Sequence, residues 1–288
     1  MRIANLAERL VILDADRALD VESASSGRFS SDPQAVYARW GEFTEWAAGQ
    51  DVSAGNPFDP RVLGPAVPRP PQIFAIGLNY AKHAGESGYA VPENPVVFTK
   101  FASSLTGPDV EVTLSGDTVD WEAELVVVIG HGGRDIDEGD GWNRIAGLSV
   151  GQDLSDRTVQ FWGDPPQFSL GKSRAGFAPV GPAVVTLDEV ESKADRDDLS
   201  VRCTLSRPDG STEMLQDGRT RDLIFSIPAL VARLSAVVEL LPGDLIFTGT
   251  PEGVGIGRTP AVYLRPGEVL TTEIEGVGTI VQRFVSED

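Results

Sequence analysis

The chain has 288 residues, a formal net charge of −19, one cysteine and two histidines. Its length allows one large domain, or one together with a small partner domain, and a surface this acidic repels nucleic acid and anionic membranes, so we expect neither as a partner. One cysteine excludes an internal disulfide framework, and two histidines exclude a histidine-rich zinc site. The sequence has no apolar run long enough to span a bilayer and no signal-peptide core, so we expect the protein to be cytoplasmic.

The N-terminal segment predicts two short strands followed by a helix. Asp32-Pro33 opens the helical stretch, in which Val36, Trp40, Phe43 and Trp46 recur at roughly helical spacing. Residues 55–71 carry six prolines and two glycines, which is typical of an extended linker. We therefore expect a small N-terminal α/β domain with its linker over residues 1–70.

The remainder of the chain has a strand-rich texture. Short strands between turn residues are predicted at residues 73–76, 96–98, 124–129, 145–150, 180–185, 199–205, 244–248 and 269–274. Apolar residues on one face predict a helix over residues 222–234. Many strands with few helices favour an α+β fold that is mainly β, a mixed β-roll or barrel-like domain over residues 71–288.

The stretch from residue 120 to residue 129 is the most informative part of the sequence. It ends in a continuous apolar run, as expected of a strand buried on both faces. Because side chains alternate along a strand, Glu122 and Glu124 point to one face. Two buried carboxylates so close together are costly unless a cation lies between them; a solvated strand edge is the alternative interpretation.

Asp153 strengthens the metal interpretation. It follows the apolar strand at 145–150 and a glycine, so it is a third carboxylate at a strand end. Three oxygen ligands suit Mg²⁺, with Mn²⁺ or Ca²⁺ as alternatives, rather than zinc. Mg²⁺ in such a site keeps positions open for water and substrate oxygens.

His83 and Glu86 are three residues apart and hence neighbours on one helical turn. A histidine oriented by a carboxylate is the usual construction of a general base that activates water. Gly85 and Gly88 would let the segment move as a lid. A surface helix with a chance His–Glu pair is the alternative.

Two further segments are candidates for substrate contacts. Lys172, one of only four lysines, lies between glycine and serine and could hold a carboxylate or an enolate oxygen; a solvated surface lysine is the alternative. In the glycine-rich segment 247–257, the backbone N–H groups and the Thr250 hydroxyl could meet a substrate carboxylate. A nucleotide loop is excluded because no Gly-Lys-Ser/Thr is present; a purely structural turn stays open.

Together these segments resemble the catalytic domain of the fumarylacetoacetate hydrolase family, over about residues 70–286. The resemblance is carried, in the family's order, by I-G-L-N-Y-A-K-H-A-G-E, P-V-V-F-T-K-F-A-S-S-L-T-G-P, D-W-E-A-E-L, G-Q-D-L-S-D-R, G-K-S, F-A-P-V-G-P and F-T-G-T-P-E-G-V-G. It implies the β-roll fold, usually as a homodimer, without identifying one member.

The resemblance also implies roles for single residues. Glu122, Glu124 and Asp153 would hold the divalent metal, and His83 with Glu86 would activate water from a closing lid. Lys172 would stabilise an oxyanion. Substrate contacts are implied for Arg157, Gln160 and the Gly249–Thr250 turn. Two departures, Arg174 and Arg221, add positive charge near the expected site, where they contact an extra substrate carboxylate or lie on the surface.

We expect hydrolytic cleavage of a C–C bond in a small keto acid with a 1,3-dicarbonyl group, such as an acylpyruvate or fumarylpyruvate, through a metal-stabilised enolate. The alternatives are an isomerase of the 2-hydroxyhepta-2,4-diene-1,7-dioate type and an oxaloacetate-type decarboxylase, which use the same metal–enolate chemistry. A non-catalytic binding protein is a less favoured alternative, because metal carboxylates, lid pair and lysine all survive together.

Overall fold

A computed structural model describes residues 1–86, 88 and 90–287. Its helices are α1 Val21–Ala24, α2 Trp40–Ala47, α3 Ala81–Glu86, α4 Arg157–Gln160, α5 Phe168–Gly171, α6 Leu187–Glu191 and α7 Ile227–Ser235. Short 3₁₀ turns occur between them. None of the helices in the described part of the chain has the length and apolar character needed to traverse a bilayer.

Strands make up most of the regular structure. Up to the middle of the chain they are β1 Arg2–Leu6, β2 Arg9–Asp14, β3 Arg17–Asp20, β4 Asn56–Pro57, β5 Ile73–Gly77, β6 Val96–Thr99, β7 Leu105–Thr106, β8 Asp109–Leu114, β9 Val119–Asp120 and β10 Ala123–Ile129. The second half contributes β11 Ile145–Gln152, β12 Ser155–Asp156, β13 Ala178–Val185, β14 Ser200–Ser206, β15 Thr212–Arg219, β16 Leu245–Phe247, β17 Val269–Ile274 and β18 Gly278–Ser286.

Two large sheets enclose the main core. Among the described residues, the larger sheet has the order β4-β3-β2-β1-β13-β11-β10-β16-β5-β6, with β7 beside β13, and the smaller has the order β15-β14-β17-β18-β8. Both are open, so the described residues form no closed barrel. The expected α+β class, mainly β, is confirmed.

Strand β10 is buried on both faces, as its apolar run predicts. Leu125, Val127 and Ile129 belong to the core between the two sheets. Val126 and Val128 belong to a second core on the opposite face. This strand and its antiparallel neighbour β11 therefore lie at the centre of the molecule. They hold the residues at their ends in fixed positions.

The N-terminal segment covers the second face of the larger sheet. β1 pairs with β13, and Phe29, Trp40 and Phe43 share a core cluster with Val126 and Val128. The sheet is thus continuous across the expected boundary at residue 70, and the proline-rich stretch buries Ala66 and Val67 against it. The division into domains at 1–70 and 71–288 stays a prediction. Residue 288, the last residue of the second expected domain, lies outside the described residues.

The expected elements agree with the structure in kind but not always in extent. A third N-terminal strand, β3, follows β2 after a tight turn in which Ala15 has a φ of 47°. The helix expected from residue 222 begins at Ile227, because Ser226 caps it by accepting a hydrogen bond from the Ala229 N–H at 3.3 Å and a proline follows. The strands β8, β15 and β18 were not predicted.

Asp244 occupies a buried turn just before β16. Its Oδ2 accepts hydrogen bonds from the Leu241 N–H and the Gln72 side-chain amide, both at 2.7 Å, while Oδ1 has no partner in the described structure. Burial raises the pKa of Asp244 to about 6. The folded protein therefore binds the carboxyl proton of Asp244 more tightly than the unfolded chain does. The contribution of this proton to the free energy of unfolding is lost as the pH rises through about 6.

We therefore expect the unfolding free energy of the wild type, relative to Asp244→Asn, to fall as the pH rises from 3.8 to about 6 and then to level off, because only the wild type must bury an ionised carboxylate. Urea titrations at several pH values measure this difference. Asp16→Asn, on an exposed turn, controls for the loss of one negative charge. A difference between wild type and Asp244→Asn that is constant with pH would contradict the assignment.

Candidate functional site

Three buried carboxylates meet where β10 begins and β11 ends. The antiparallel register pairs Ala123 with Gln152, and the Asp153 N–H donates to the Glu122 carbonyl at 2.9 Å. Side-chain oxygens of Glu122, Glu124 and Asp153 lie within 4.8 Å of one another. The structure thus brings together all three residues that the sequence predicts as metal ligands.

Three buried cations surround these carboxylates. The Lys172 Nζ lies 2.5 Å from Glu122 Oε2 and 2.7 Å from Asp153 Oδ2. The Lys100 Nζ lies 2.5 Å from Asp153 Oδ1, and the Arg157 Nη2 lies 2.8 Å from Glu122 Oε1. Lys172 is therefore a buried bridge between two carboxylates, and the interpretation as a solvated surface lysine is wrong.

Sequence reasoning missed Lys100 and Asp120. Lys100 is fully buried and also donates to the Lys172 carbonyl; its signal was a scarce lysine directly after the strand V-V-F-T. Asp120 is also fully buried and accepts from Arg157 Nε at 2.9 Å. It precedes the two glutamates, but only the tertiary structure shows what it binds.

The electrostatics of the cluster fit a divalent cation. Burial raises the pKa of Glu124 well above its usual range, and the charges of Asp153 and Glu122 raise it further. Burial also opposes ionisation of Glu122, but Lys172 and Arg157 lower its pKa below the usual range. Around Glu124, the cations of the cluster therefore do not balance the negative charge of its carboxylates. Three converging oxygen donors suit Mg²⁺ or Mn²⁺.

Helix α3 carries the predicted acid–base pair. The His83 Nδ1 lies 2.8 Å from Glu86 Oε1, and His83 is buried, although Ala81 and Lys82 on the same helix are exposed. Glu86 also accepts from the Gly253 N–H at 3.0 Å. Leu78, just before the helix, has a φ of 58°, a left-handed conformation that costs about 1 kcal/mol or more in a residue with a side chain.

The glycine-rich segment 247–257 directs its backbone N–H groups at the protein's own carboxylates. Gly249 donates to Glu124 Oε2 at 2.8 Å, Gly253 donates to Glu86, and Gly255 donates to Asp120 Oδ1 at 2.7 Å. These donors are therefore engaged in orienting side chains. The Thr250 hydroxyl similarly donates to the Ala123 carbonyl at 2.9 Å and accepts from Gln216. Substrate binding by Gly249 and Thr250 stays a prediction.

Two members of the triad, Glu122 and Glu124, and the predicted acid–base pair face one cavity of about 280 Å³. Its charged lining consists of His83, Glu86, Glu122, Glu124, Arg157 and Lys172. Its apolar lining consists of Ile76, Leu78, Phe98, Phe161, Phe168 and Ile256. Gln160 and Thr250 also line it. A larger cleft of about 1090 Å³ lies between the N-terminal strands and β13 and shares no lining residue with this cavity.

The two unusual arginines do not line this cavity within the described residues. The Arg174 Nε donates to Asp156 Oδ2 at 2.8 Å, and the Arg221 Nη1 donates to Asp198 Oδ2 at 3.1 Å. Their charges are thus matched by neighbouring carboxylates, and their substrate contact receives no support from the structure.

Comparison with known proteins agrees with this geometry. The model of the fumarylacetoacetate (FAA) hydrolase C-terminal domain matches residues 72–285. A human protein named oxaloacetate tautomerase FAHD2A, mitochondrial, is 41% identical over 251 residues, which cover 85% of this chain and 77% of the human protein.

Solved structures share the whole fold. The crystal structure of a candidate HpcE protein from Mycobacterium smegmatis superposes with a TM-score of 0.94 at 50% identity and covers 100% of both chains. Maleylpyruvate hydrolase from Sphingobium sp. SYK-6 superposes with a TM-score of 0.79 at 27% identity, again over 100% of both chains.

We predict that Glu124→Gln weakens Mg²⁺ and Mn²⁺ binding at least about tenfold, because it removes one of three anionic oxygen ligands. Isothermal titration calorimetry with each metal measures the affinity. Glu111→Gln, on the exposed side of β8, is the control for charge. Equal affinities in the wild type and Glu124→Gln would contradict a metal site at the triad.

We predict that Gly257→Ala lowers turnover about tenfold, since a methyl group there would lie 3.0 Å from the Glu86 Cδ and displace a carboxylate that orients His83, the predicted base. Steady-state kinetics and thermal melting measure turnover and folding. Gly139→Ala, which meets open space, is the matched control. Unchanged kinetics in Gly257→Ala would show that the position of Glu86 is not critical.

Proposed function

The chain belongs to the fumarylacetoacetate hydrolase family, whose model matches residues 72–285, and from that premise we propose that this enzyme interconverts the enol and keto forms of a small 2-keto acid. The observation that carries the proposal is a His–Glu pair, a buried lysine and two of three clustered carboxylates around one cavity. Proton transfer next to a carbonyl needs a base, a means of polarising the keto oxygen and a counter-charge for the enolate.

The residues of the triad would hold the metal. Glu122, Glu124 and Asp153 offer only oxygen ligands, and Mg²⁺ is the ion we propose, with Mn²⁺ or Ca²⁺ as alternatives. A divalent ion bound there would supply Lewis-acid polarisation of the 2-keto acid end.

His83 is the proposed proton carrier. Glu86 occupies its Nδ1 side at 2.8 Å, which leaves Nε2 to exchange a proton with carbon 3 of the substrate. When carbon 3 loses its proton, the electron pair moves to the keto oxygen. Lys172, a buried cation at this cavity, stabilises that oxygen until a proton from solvent reaches it, and His83 releases the proton from carbon 3 to solvent. The same steps in reverse convert an enol to the keto acid.

Arg157 has a positioning role in this proposal. Its Nε donates to Asp120, its Nη2 lies beside Glu122, and its Nη1 donates to the Gln160 side-chain oxygen at 2.8 Å. The guanidinium thus fixes Glu122 and directs Gln160, whose amide N–H groups can donate to a substrate oxygen.

Sequence relatives favour tautomerisation over hydrolysis. The relative that is 41% identical is named an oxaloacetate tautomerase, so oxaloacetate is the first substrate to test. The hydrolysis of an acylpyruvate that the sequence suggested is the second candidate, since the same His–Glu pair can activate water and a maleylpyruvate hydrolase shares the fold. Decarboxylation of an oxaloacetate-type acid would begin from the same enolate chemistry. The homodimer and the cytoplasmic location stay predictions.

The test is a stopped assay that separates the three outcomes with Mg²⁺ present or chelated. Metal-dependent loss of enol absorbance from oxaloacetate without CO₂ release or pyruvate formation would support the tautomerase. Pyruvate from an acylpyruvate would support the hydrolase, and CO₂ with pyruvate from oxaloacetate would support a decarboxylase.

We predict that His83→Ala lowers turnover about 10²- to 10⁴-fold, the usual loss for a positioned acid–base group, while metal affinity stays near the wild-type value. Lys82→Ala is the control on the same helix, because Lys82 is exposed and pairs with Glu252. More than half of wild-type turnover in His83→Ala would eliminate this role.

A further inference from the structure

The turn that leads into α3 is fastened by one buried amide. Asn79 is fully buried, and its Nδ2 donates to the Phe225 carbonyl at 3.1 Å and to the Thr248 carbonyl at 2.8 Å. Its Oδ1 accepts from the Phe225 N–H at 2.8 Å. Both donor hydrogens and the oxygen of this amide are therefore engaged with the backbone of two distant segments.

The backbone of the same turn adds contacts with the segment that precedes α7. The Asn79 carbonyl accepts from the Ile224 N–H at 2.8 Å, and Tyr80 forms an antiparallel bridge with Leu223. Leu78, with a φ of 58°, has a conformation that a residue with a side chain keeps only when its surroundings hold it there. The contacts of Asn79 and Tyr80 supply that restraint.

Thr248 connects this turn to the carboxylate triad. Its N–H and its hydroxyl both donate to the Leu125 carbonyl, at 3.1 Å and 2.9 Å, and Leu125 follows Glu124 on β10. Asn79 therefore joins the start of α3 to a residue that is itself bound to the strand of Glu124. His83, one helical turn beyond Asn79, is placed relative to that strand by this link.

The attachment at the far side of this segment is weaker. Where the chain returns toward β6, the Nη1 of Arg233 on α7 donates to Asn94 Oδ1 at 3.0 Å, and both side chains are exposed. An exposed hydrogen bond competes with water and restrains the chain less than a buried one does. The buried amide of Asn79 is thus the fixed point from which α3 projects.

We propose that Asn79 is a positioning residue, which fixes the turn before α3 and so holds His83 at its working distance from the triad. The inference rests on the proposed function, because Asn79 acts through His83. Proton transfer depends steeply on geometry, and a displacement of about 1 Å can cost about 10²-fold in rate.

Asn79→Ala tests this role. We expect kcat with the enol of oxaloacetate to fall at least about tenfold, while the affinities for Mg²⁺ and for oxalate on the Mg²⁺-loaded protein stay within about twofold. The affinities stay because Thr248 keeps its own hydrogen bonds to Leu125, which leaves the triad in place. Unchanged kcat, or a loss of Mg²⁺ affinity that parallels the loss of kcat, would overturn the inference.

Asn5→Ala is the matched control. Asn5 is also a buried asparagine, its Nδ2 donates to the Pro65 carbonyl at 3.2 Å, and it does not belong to the described lining of the catalytic cavity. This variant should melt at a lower temperature than the wild type but keep its kcat. An equal loss of kcat in both variants would attribute the effect to stability and overturn the role of Asn79.

The two histidines of the chain allow a readout that does not depend on turnover. Nuclear magnetic resonance of the ring Cε1–H groups should show one signal for His83, assigned by its loss in His83→Ala, and one for His131. In Asn79→Ala the His83 signal should move or split, whereas the His131 signal stays. An unchanged His83 signal would contradict the positioning role.

Hydrogen exchange of the wild type tests the inference even if Asn79→Ala does not fold. The Phe225 N–H donates to Asn79, and the Ala84 N–H donates to the Tyr80 carbonyl within α3 at 2.9 Å. If α3 opens only when Asn79 is released, the two amides should show the same opening free energy. A lower value at Ala84 would show that α3 opens independently of Asn79 and overturn the inference.

The inference and the proposed function fail separately. Absence of turnover with every enol tested would reject the proposed reaction, whereas a displaced His83 signal in Asn79→Ala would still support the positioning of α3. Full turnover in Asn79→Ala, together with an inactive His83→Ala, would reject the role of Asn79 alone.

Discussion

The rest of the site depends on the burial of several carboxylates within a few ångströms of one another. Carboxylates are stable inside a protein only when charges or hydrogen-bond donors replace the water they lose. Here Lys100, Lys172 and Arg157 supply cations, and the backbone of the glycine-rich segment supplies N–H donors to Glu124, Glu86 and Asp120. The compensation is incomplete at Glu124, where burial and two neighbouring carboxylates raise the pKa, and a metal would complete it.

Glycine is needed in that segment because of close approach. A side chain at Gly255 would lie 1.9 Å from the Val262 carbonyl oxygen, and one at Gly253, which has a φ of 106°, would lie 2.2 Å from the Leu215 carbonyl oxygen. The segment can therefore bring its N–H groups against three carboxylates on different elements. It contacts Glu86 on α3 and Glu124 of the carboxylate triad, so that one piece of backbone orients residues of both.

Much of this arrangement was predictable from the sequence. The apolar run after Glu124 predicted a strand buried on both faces. A carboxylate cluster was predicted from Glu122 and Glu124 at the start of this strand and from Asp153 after the next one. The strand β8 also has a readable pattern, since Val110, Val112 and Leu114 alternate with polar residues, yet it was not predicted. The start of α7 was misplaced because the apolar spacing extends upstream of its cap at Ser226.

The partners of the site residues could not be predicted, because they depend on contacts between distant segments. Asp120 and Gly255 are 135 positions apart in the chain, and Lys100 reaches Asp153 across 53. Sequence alone made the glycine-rich segment a candidate for binding a substrate carboxylate, whereas its N–H groups bind the enzyme's own carboxylates. That difference matters for the site, since these donors hold Glu86 and Glu124 in place.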